Sequence, residues 1–217
     1  MTTKENVINK IKNDKMIVVV RRVNKELLCD FGQALVQGGA RLVELAFDQT
    51  NLTLNSETAK EITQLATNSN LVVGAGTVLT ETQLQMAIDA GAKYVVSPVV
   101  NRAIIESANK KGIVVIPGAF TPTEIEMAYK LGGDFVKLFP YNALGVEYLR
   151  SVLTPLKHIP LVAMGGILPN NVKEILNAGA QAVGVAGGIV NLKKINEEHD
   201  FEYIVSATKN YVNEIKN

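Results

Sequence analysis

Lys137 stands in the middle of an apolar run, Asp134-Phe135-Val136-Lys137-Leu138-Phe139-Pro140. The run is short enough to be one β-strand, and a strand of a parallel sheet is covered on both faces, where charge is normally excluded. Desolvation disfavours an ammonium ion, so a lysine held there has a lowered pKa and is available as a neutral amine nucleophile. The ordinary alternative is a lysine at the strand end whose head reaches water. Glu44 interrupts a second apolar run, Leu42-Val43-Glu44-Leu45-Ala46-Phe47. A carboxylate and an amine both held inside dry strands are either a catalytic pair or a buried ion pair. Arg21 follows Met16-Ile17-Val18-Val19-Val20 and could grip a carboxylate with two parallel hydrogen bonds, and Thr77 offers a hydroxyl after Gly74-Ala75-Gly76. Gly165-Gly166-Ile167 and Ala186-Gly187-Gly188 would let backbone N–H groups approach an anion, unless they are only tight turns.

These groups need elements to hold them. A short helix from Lys4 to Asn13 precedes the first strand, and a helical pattern from Lys25 to Gln37 ends at Gly38-Gly39. Ser56-Glu57 reads as the start of the next helix, Leu71-Val72-Val73 as a strand running into Gly74-Ala75-Gly76-Thr77, and Thr80 as a helix cap. Tyr94-Val95-Val96-Ser97 and Ile113-Val114-Val115-Ile116 are strands stopped by Pro98 and Pro117, and Thr121-Pro122-Thr123-Glu124 has the chemistry of a helix start. With Leu161–Met164 and Ala182–Val185, eight strands alternate with helices, and a last helix runs from Tyr203 to Ile215. This is the pattern of a single (β/α)8 TIM barrel over residues 1–217, with a short N-terminal helix. A doubly wound open sheet would need a glycine fingerprint after the first strand, where Arg21-Arg22-Val23 stands instead.

A repeat sets the register. Gly39-Ala40-Arg41-Leu42-Val43-Glu44 aligns with Gly91-Ala92-Lys93-Tyr94-Val95-Val96, with Gly132-Gly133-Asp134-Phe135-Val136-Lys137 and with Gly179-Ala180-Gln181-Ala182-Val183-Gly184. Barrel interiors are built in layers of four side chains taken from alternate strands. Glu44, Val96, Lys137 and Gly184 are therefore expected to share one inward-facing layer, with Gly184 leaving room beside the charged pair. A purely structural ion pair is the competing reading, and it is expensive to desolvate.

Composition excludes several functions. With 47% hydrophobic residues and a net charge of +1, the chain offers no electrostatic footprint for nucleic acid or an anionic membrane. The N-terminus is polar, unlike a signal peptide, and no apolar run reaches the length of a membrane span. His158 and His199 are far apart and belong to no ligand cluster, so no metal is expected. Cys29 has no disulfide partner and is expected to be a half-buried structural thiol in a soluble, cytoplasmic protein.

Taken in order, Arg21, Val43-Glu44, Gly74-Ala75-Gly76-Thr77-Val78, Val96-Ser97-Pro98, Pro117-Gly118, Lys137-Leu138-Phe139-Pro140 and Gly165-Gly166-Ile167 make the chain resemble, over essentially its whole length, the 2-dehydro-3-deoxy-6-phosphogluconate (KDPG) / 4-hydroxy-2-oxoglutarate (KHG) aldolases. The resemblance implies a class I aldolase on a (β/α)8 barrel, without cofactor and homotrimeric, acting on a small 2-keto acid. It implies a Schiff-base role for Lys137, general acid/base work for Glu44, carboxylate contacts from Arg21 and Thr77, and substrate contacts from Pro98 and Phe139. Gly165, Gly166, Gly187 and Gly188 resemble the family's phosphate site. Three positions differ from the common pattern: Met164 where threonine is usual, a last loop without its frequent serine, and Asp48 where relatives often carry Arg or Thr. An apolar residue at Met164 is also similar to the sister 6-phosphogalactonate (KDPGal) aldolases. The alternatives are a phosphosugar-binding barrel of another reaction type, such as an epimerase or a thiamin-phosphate-synthase-like enzyme, and a non-catalytic ligand sensor.

Overall fold

Valine, isoleucine and leucine dominate the short runs between helix signals, and in the computed structural model, which describes residues 4–51 and 54–216, every such run is a parallel strand. The strands are β1 (Met16–Val20), β2 (Leu42–Ala46), β3 (Val72–Gly76), β4 (Tyr94–Val96), β5 (Val114–Ile116), β6 (Gly118–Ala119), β7 (Val136–Leu138), β8 (Leu161–Met164) and β9 (Ala182–Val185). The helices are α1 (Lys4–Asp14), α2 (Leu28–Gly38), α3 (Leu54–Ala66), α4 (Glu81–Asp89), α5 (Arg102–Lys110), α6 (Pro122–Lys130), α7 (Gly145–Leu156), α8 (Pro169–Asn177) and α9 (Phe201–Lys216). Local chemistry sets their ends. Thr80 with Gln83 and Thr121 with Glu124 form reciprocal capping boxes, and Gly39, at φ +99, closes α2 in the left-handed conformation.

The sheet runs β5-β4-β3-β2-β1-β9-β8-β7-β6. Its two end strands, β5 and β6, are separated in the chain by Pro117 alone. Proline has no N–H to give to a ladder, so pairing passes from β4 on one side of it to β7 on the other. The Pro117 carbonyl still accepts from Lys137 N at 2.9 Å. The result is an α/β barrel whose sheet is nearly closed.

The repeat locates the interior. Its fourth residues, Leu42, Tyr94, Phe135 and Ala182, all lie in one buried cluster with Val96, and Val7 and Ile11 of α1 join that cluster. The sixth residues stand two positions further along each strand and so face the same side. Two expectations about elements are corrected. The strand read as Leu71-Val72-Val73 begins at Val72 and continues through Gly74-Ala75-Gly76, whose missing side chains make room for bulky neighbours: the Tyr94 ring covers Gly74 and the Glu44 carboxylate lies on Gly76. Helix α3 starts at Leu54, ahead of Ser56. Cys29 is exposed rather than half-buried, and its sulfur accepts from Gln64 Nε2 at 3.2 Å.

Candidate active site

Lys137 and Glu44 enter the barrel from β7 and β2 and are only 8% and 2% exposed. Burial lowers the Lys137 pKa, opposed by the Glu44 charge and helped by Arg21. Burial likewise raises the Glu44 pKa, opposed by Lys137 and then by Arg21. Both shifts favour neutral forms, and each group resists the other's neutralisation. Among the described residues no ion pair within 4 Å joins them, although they interact electrostatically. Glu44 Oε2 is buried and accepts no hydrogen bond from the described residues. A directly paired structural salt bridge would satisfy both partners, and these two do not form one.

Gly76 is what admits the carboxylate. A Cβ there would fall on Glu44 Oε1 and press its carboxyl carbon at 2.6 Å. Gly184 behaves differently from expectation. The volume its missing side chain frees is taken by Met164, whose Sδ lies 2.8 Å from the place a Cβ would occupy. The space expected to stay open beside the charged pair is therefore filled by a thioether side chain.

Arg21 and Thr77 meet at the mouth of the barrel, where Arg21 Nη2 donates to Thr77 Oγ1 at 3.4 Å. Thr77 and Arg22 both have left-handed backbones, at φ +54 and +60, a costly conformation for a β-branched residue above all. Side-chain amides hold each in place. Gln49 Nε2 donates to the Thr77 carbonyl at 2.9 Å, and Asn196 Nδ2 donates to the Arg22 carbonyl at 2.9 Å while its Oδ1 accepts from Asn24 N at 3.0 Å. Asp48 commits one oxygen to its own loop: its Oδ1 accepts from Thr50 Oγ1, Thr50 N and Asn51 N at 2.7, 2.7 and 3.0 Å, which holds its carboxyl below the usual range and keeps it anionic.

Phe139 is partly exposed and lies over the amine, with Lys137 Nζ 4.4 Å from its ring centroid. Pro98 follows β4 and packs its backbone against Gly118, the ladder partner of Lys137. Gly165 and Gly166, at φ +101 and +71, form the turn after β8, and Gly187-Gly188 follow β9, the strand beside it. Among the described residues the N–H groups of Gly166, Ile167, Gly187 and Gly188 meet no protein acceptor. Asn171 fastens the first turn from behind, donating to the Gly166 carbonyl at 3.0 Å and accepting from Leu168 N at 2.9 Å.

Every residue singled out in the sequence thus sits at one end of the barrel or just inside it. The supporting amides Gln49, Asn171 and Asn196 were not among them. Only Asn171 carried a local signal, three residues after Leu168 at the head of a helix that Pro169 opens. Among the described residues no three His, Cys, Asp or Glu side chains gather closely enough to hold a metal ion.

The sequence profile of the KDPG and KHG aldolase family matches residues 7–207. A 2-dehydro-3-deoxy-phosphogluconate aldolase of Treponema pallidum is 34% identical over 77% of this chain and 78% of its own. A 2-dehydro-3-deoxy-6-phosphogalactonate aldolase of Escherichia coli is 30% identical over 72% of this chain and 78% of its own. Among solved structures, a KDPG aldolase from Legionella pneumophila with pyruvate captured as a covalent carbinolamine superposes with a TM-score of 0.82 at 23% identity, covering 96% of this chain and 97% of that one.

Proposed function

This chain belongs to the KDPG and KHG aldolase family, and from that premise we infer that Lys137 is its Schiff-base lysine and Glu44 its proton-transfer group. The enzyme is a class I aldolase. It cleaves a 2-keto-3-deoxy acid, KDPG or 4-hydroxy-2-oxoglutarate, to pyruvate and an aldehyde, glyceraldehyde 3-phosphate or glyoxylate. The observation that carries the assignment of residues is the buried amine and carboxylate, electrostatically coupled yet not in contact. The neutral Lys137 amine attacks the C2 carbonyl, and Glu44 supplies the proton with which the carbinolamine loses water to an iminium. Deprotonation of the C4 hydroxyl lets the C3–C4 electron pair flow to the iminium nitrogen. The aldehyde departs, leaving an enamine that is protonated at C3 and hydrolysed to pyruvate and free Lys137. The Phe139 face favours the iminium over the neutral amine, because a ring quadrupole attracts the cation. Arg21 and Thr77 hold the substrate carboxylate, Pro98 walls the site beside Lys137, and the N–H groups around Gly165-Gly166 and Gly187-Gly188 hold the distal phosphate.

A second reading changes only the C4 stereochemistry. Met164 places an apolar wall where a hydroxyl is common, which favours the galactonate epimer. We further propose that β5, Pro117 and β6 are one strand interrupted by proline, so that the chain is a single (β/α)8 domain. The homotrimer belongs to the same proposal; Val99, Phe120, Met127 and Leu168, all at least 40% exposed, are candidates for its surface, and sedimentation velocity tests it. No described helix is long and apolar enough to cross a membrane, and a cytoplasmic location rests on the charged substrate class, which does not cross membranes unaided.

Borohydride reduction in the presence of pyruvate is the test. Native protein is expected to gain one reduced pyruvyl adduct, located at Lys137 by peptide mass mapping. Lys137→Ala is expected to lose both the adduct and pyruvate release from KDPG, KDPGal and 4-hydroxy-2-oxoglutarate. Turnover without an adduct would point instead to an epimerase or thiamin-phosphate-synthase-like barrel, and binding without turnover to a sensor.

A further inference from the structure

Tyr211 lies on α9, far along the chain from the groups above, and is fully buried. Its hydroxyl reaches under the mouth of the barrel to a place between the two glycine loops. There it donates to the Ile167 carbonyl at 3.0 Å and lies against Gly188, where any Cβ would fall on the hydroxyl oxygen. One oxygen therefore contacts both loops, and it does so from the side away from solvent.

The consequence follows from peptide geometry. The C=O and N–H of a trans peptide unit point in opposite directions, so fixing one fixes the other. Asn171 holds the Gly166 carbonyl, which turns the N–H of Ile167 the opposite way. Tyr211 holds the next carbonyl, that of Ile167, while the Leu168 N–H of the same peptide unit is taken by Asn171 Oδ1. The peptide planes on both sides of the Ile167 Cα are thus pinned, and the free N–H of Ile167 keeps a set orientation relative to those of Gly187 and Gly188. An anion held by several N–H groups needs all of them aimed at once. Burial pushes the Tyr211 hydroxyl up to about 12, so it remains a donor throughout the working range.

We propose that Tyr211 is a positioning residue for the phosphate end of the substrate: it touches no substrate atom but sets the spacing and tilt of the two loops that do. This rests on the reading of those loops as the phosphate site. It also accounts for glycine at position 188, since the space a side chain would need is occupied by a hydroxyl.

The test compares substrates with and without a phosphate. Tyr211→Phe keeps the ring in its pocket and removes only the donor. It is expected to raise KM for KDPG, and the inhibition constant of inorganic phosphate, by about two- to tenfold, as expected for one lost hydrogen bond. The kcat for KDPG, the KM for 4-hydroxy-2-oxoglutarate and the yield of pyruvate trapped by borohydride should not move. Gly188→Ala should also weaken phosphate binding. Combined with Tyr211→Phe it should cost less than the sum of the two, with relief only partial because the ring carbon Cζ still lies 2.9 Å from the new methyl position. Equal changes for both substrates, or a lower Tm with both KM values unchanged, would overturn the positioning role alone. If wild-type protein is not inhibited by phosphate and does not prefer the phosphorylated substrate, the phosphate-site reading fails, and the role of Tyr211 falls with it.

Discussion

At the scale of single residues, Lys137 and Glu44 are each displaced toward neutrality by burial and toward charge by the other. The signs of the two shifts give separate expectations. Trapping by pyruvate and borohydride needs the free amine, so its rate should rise with pH and level off below the 10.5 ordinary for lysine. Glu44→Gln removes the neighbouring charge that raises the Lys137 pKa, so the same profile should move to still lower pH, while aldol cleavage is expected to fall by about 10²–10⁴-fold if Glu44 is the proton carrier. Stability responds the other way from activity. A carboxyl whose folded pKa lies above 4.5 binds more protons when folded than when unfolded, so its contribution is full below pH 4.5 and is lost as pH rises through the folded value. Glu44→Gln should accordingly melt higher than wild type at pH 7, with the gap in Tm closing as pH approaches 4.5. A variant that melts lower at pH 7 would mean that Glu44 is a structural partner of Lys137 after all.

At the scale of elements, β3 shows how a strand can serve the site by lacking side chains. Gly76 pairs with Ala46, two residues beyond Glu44, and lies directly under the Glu44 carboxylate. Gly76→Ala should leave the fold intact, since the residue is extended rather than left-handed, but it must push the carboxyl group aside. Displacement of a proton-transfer group by about 1 Å costs on the order of a hundredfold, so kcat should fall by about that factor while borohydride trapping at Lys137 persists. Loss of trapping together with kcat would show that the collapse extends to the amine. Sequence patterning did not foretell this use of β3, because a Gly-Ala-Gly stretch has little strand propensity and it is the Tyr94 ring and the Glu44 carboxylate that fill the space above it. The charged pair was legible for the opposite reason: a lysine and a glutamate inside apolar runs violate a strong local rule, and the repeated phrase ending in each assigned them one register. Contacts such as Asn196 with Arg22, 174 residues apart, or Tyr211 with Ile167, 44 apart, obey no local rule and appear only once the chain has folded.

At the scale of the whole molecule, the barrel separates what holds it together from what it does. One end carries the mouth, with Arg21, Thr77 and the glycine loops at the strand C-termini. The other end is sealed by α1, whose Val7 and Ile11 are at most 1% exposed and join the layer of Leu42, Tyr94, Phe135 and Ala182. Lys4 pins that helix, with Nζ 2.9 Å from Asp134 Oδ2 and 2.6 Å from Asn109 Oδ1. The alternating strands and helices announced this architecture. The plugging role of α1 was not announced, because an amphipathic helix of its length could equally have packed on the outside. Ile11→Ala tests the separation. It empties a fully buried side chain in a floor made of large residues that have little freedom to collapse, so unfolding free energy should drop by about 2–5 kcal/mol in a urea titration, with the m-value unchanged. The layer of Lys137 and Glu44 stands one level higher, on strands still braced by their own ladders. Measured where the variant remains folded, its kcat and KM should therefore equal those of wild type. A fall in kcat matching the loss of stability would mean that the floor and the Lys137 layer move as one body, and that the amine is held in place by packing from below as much as by β7.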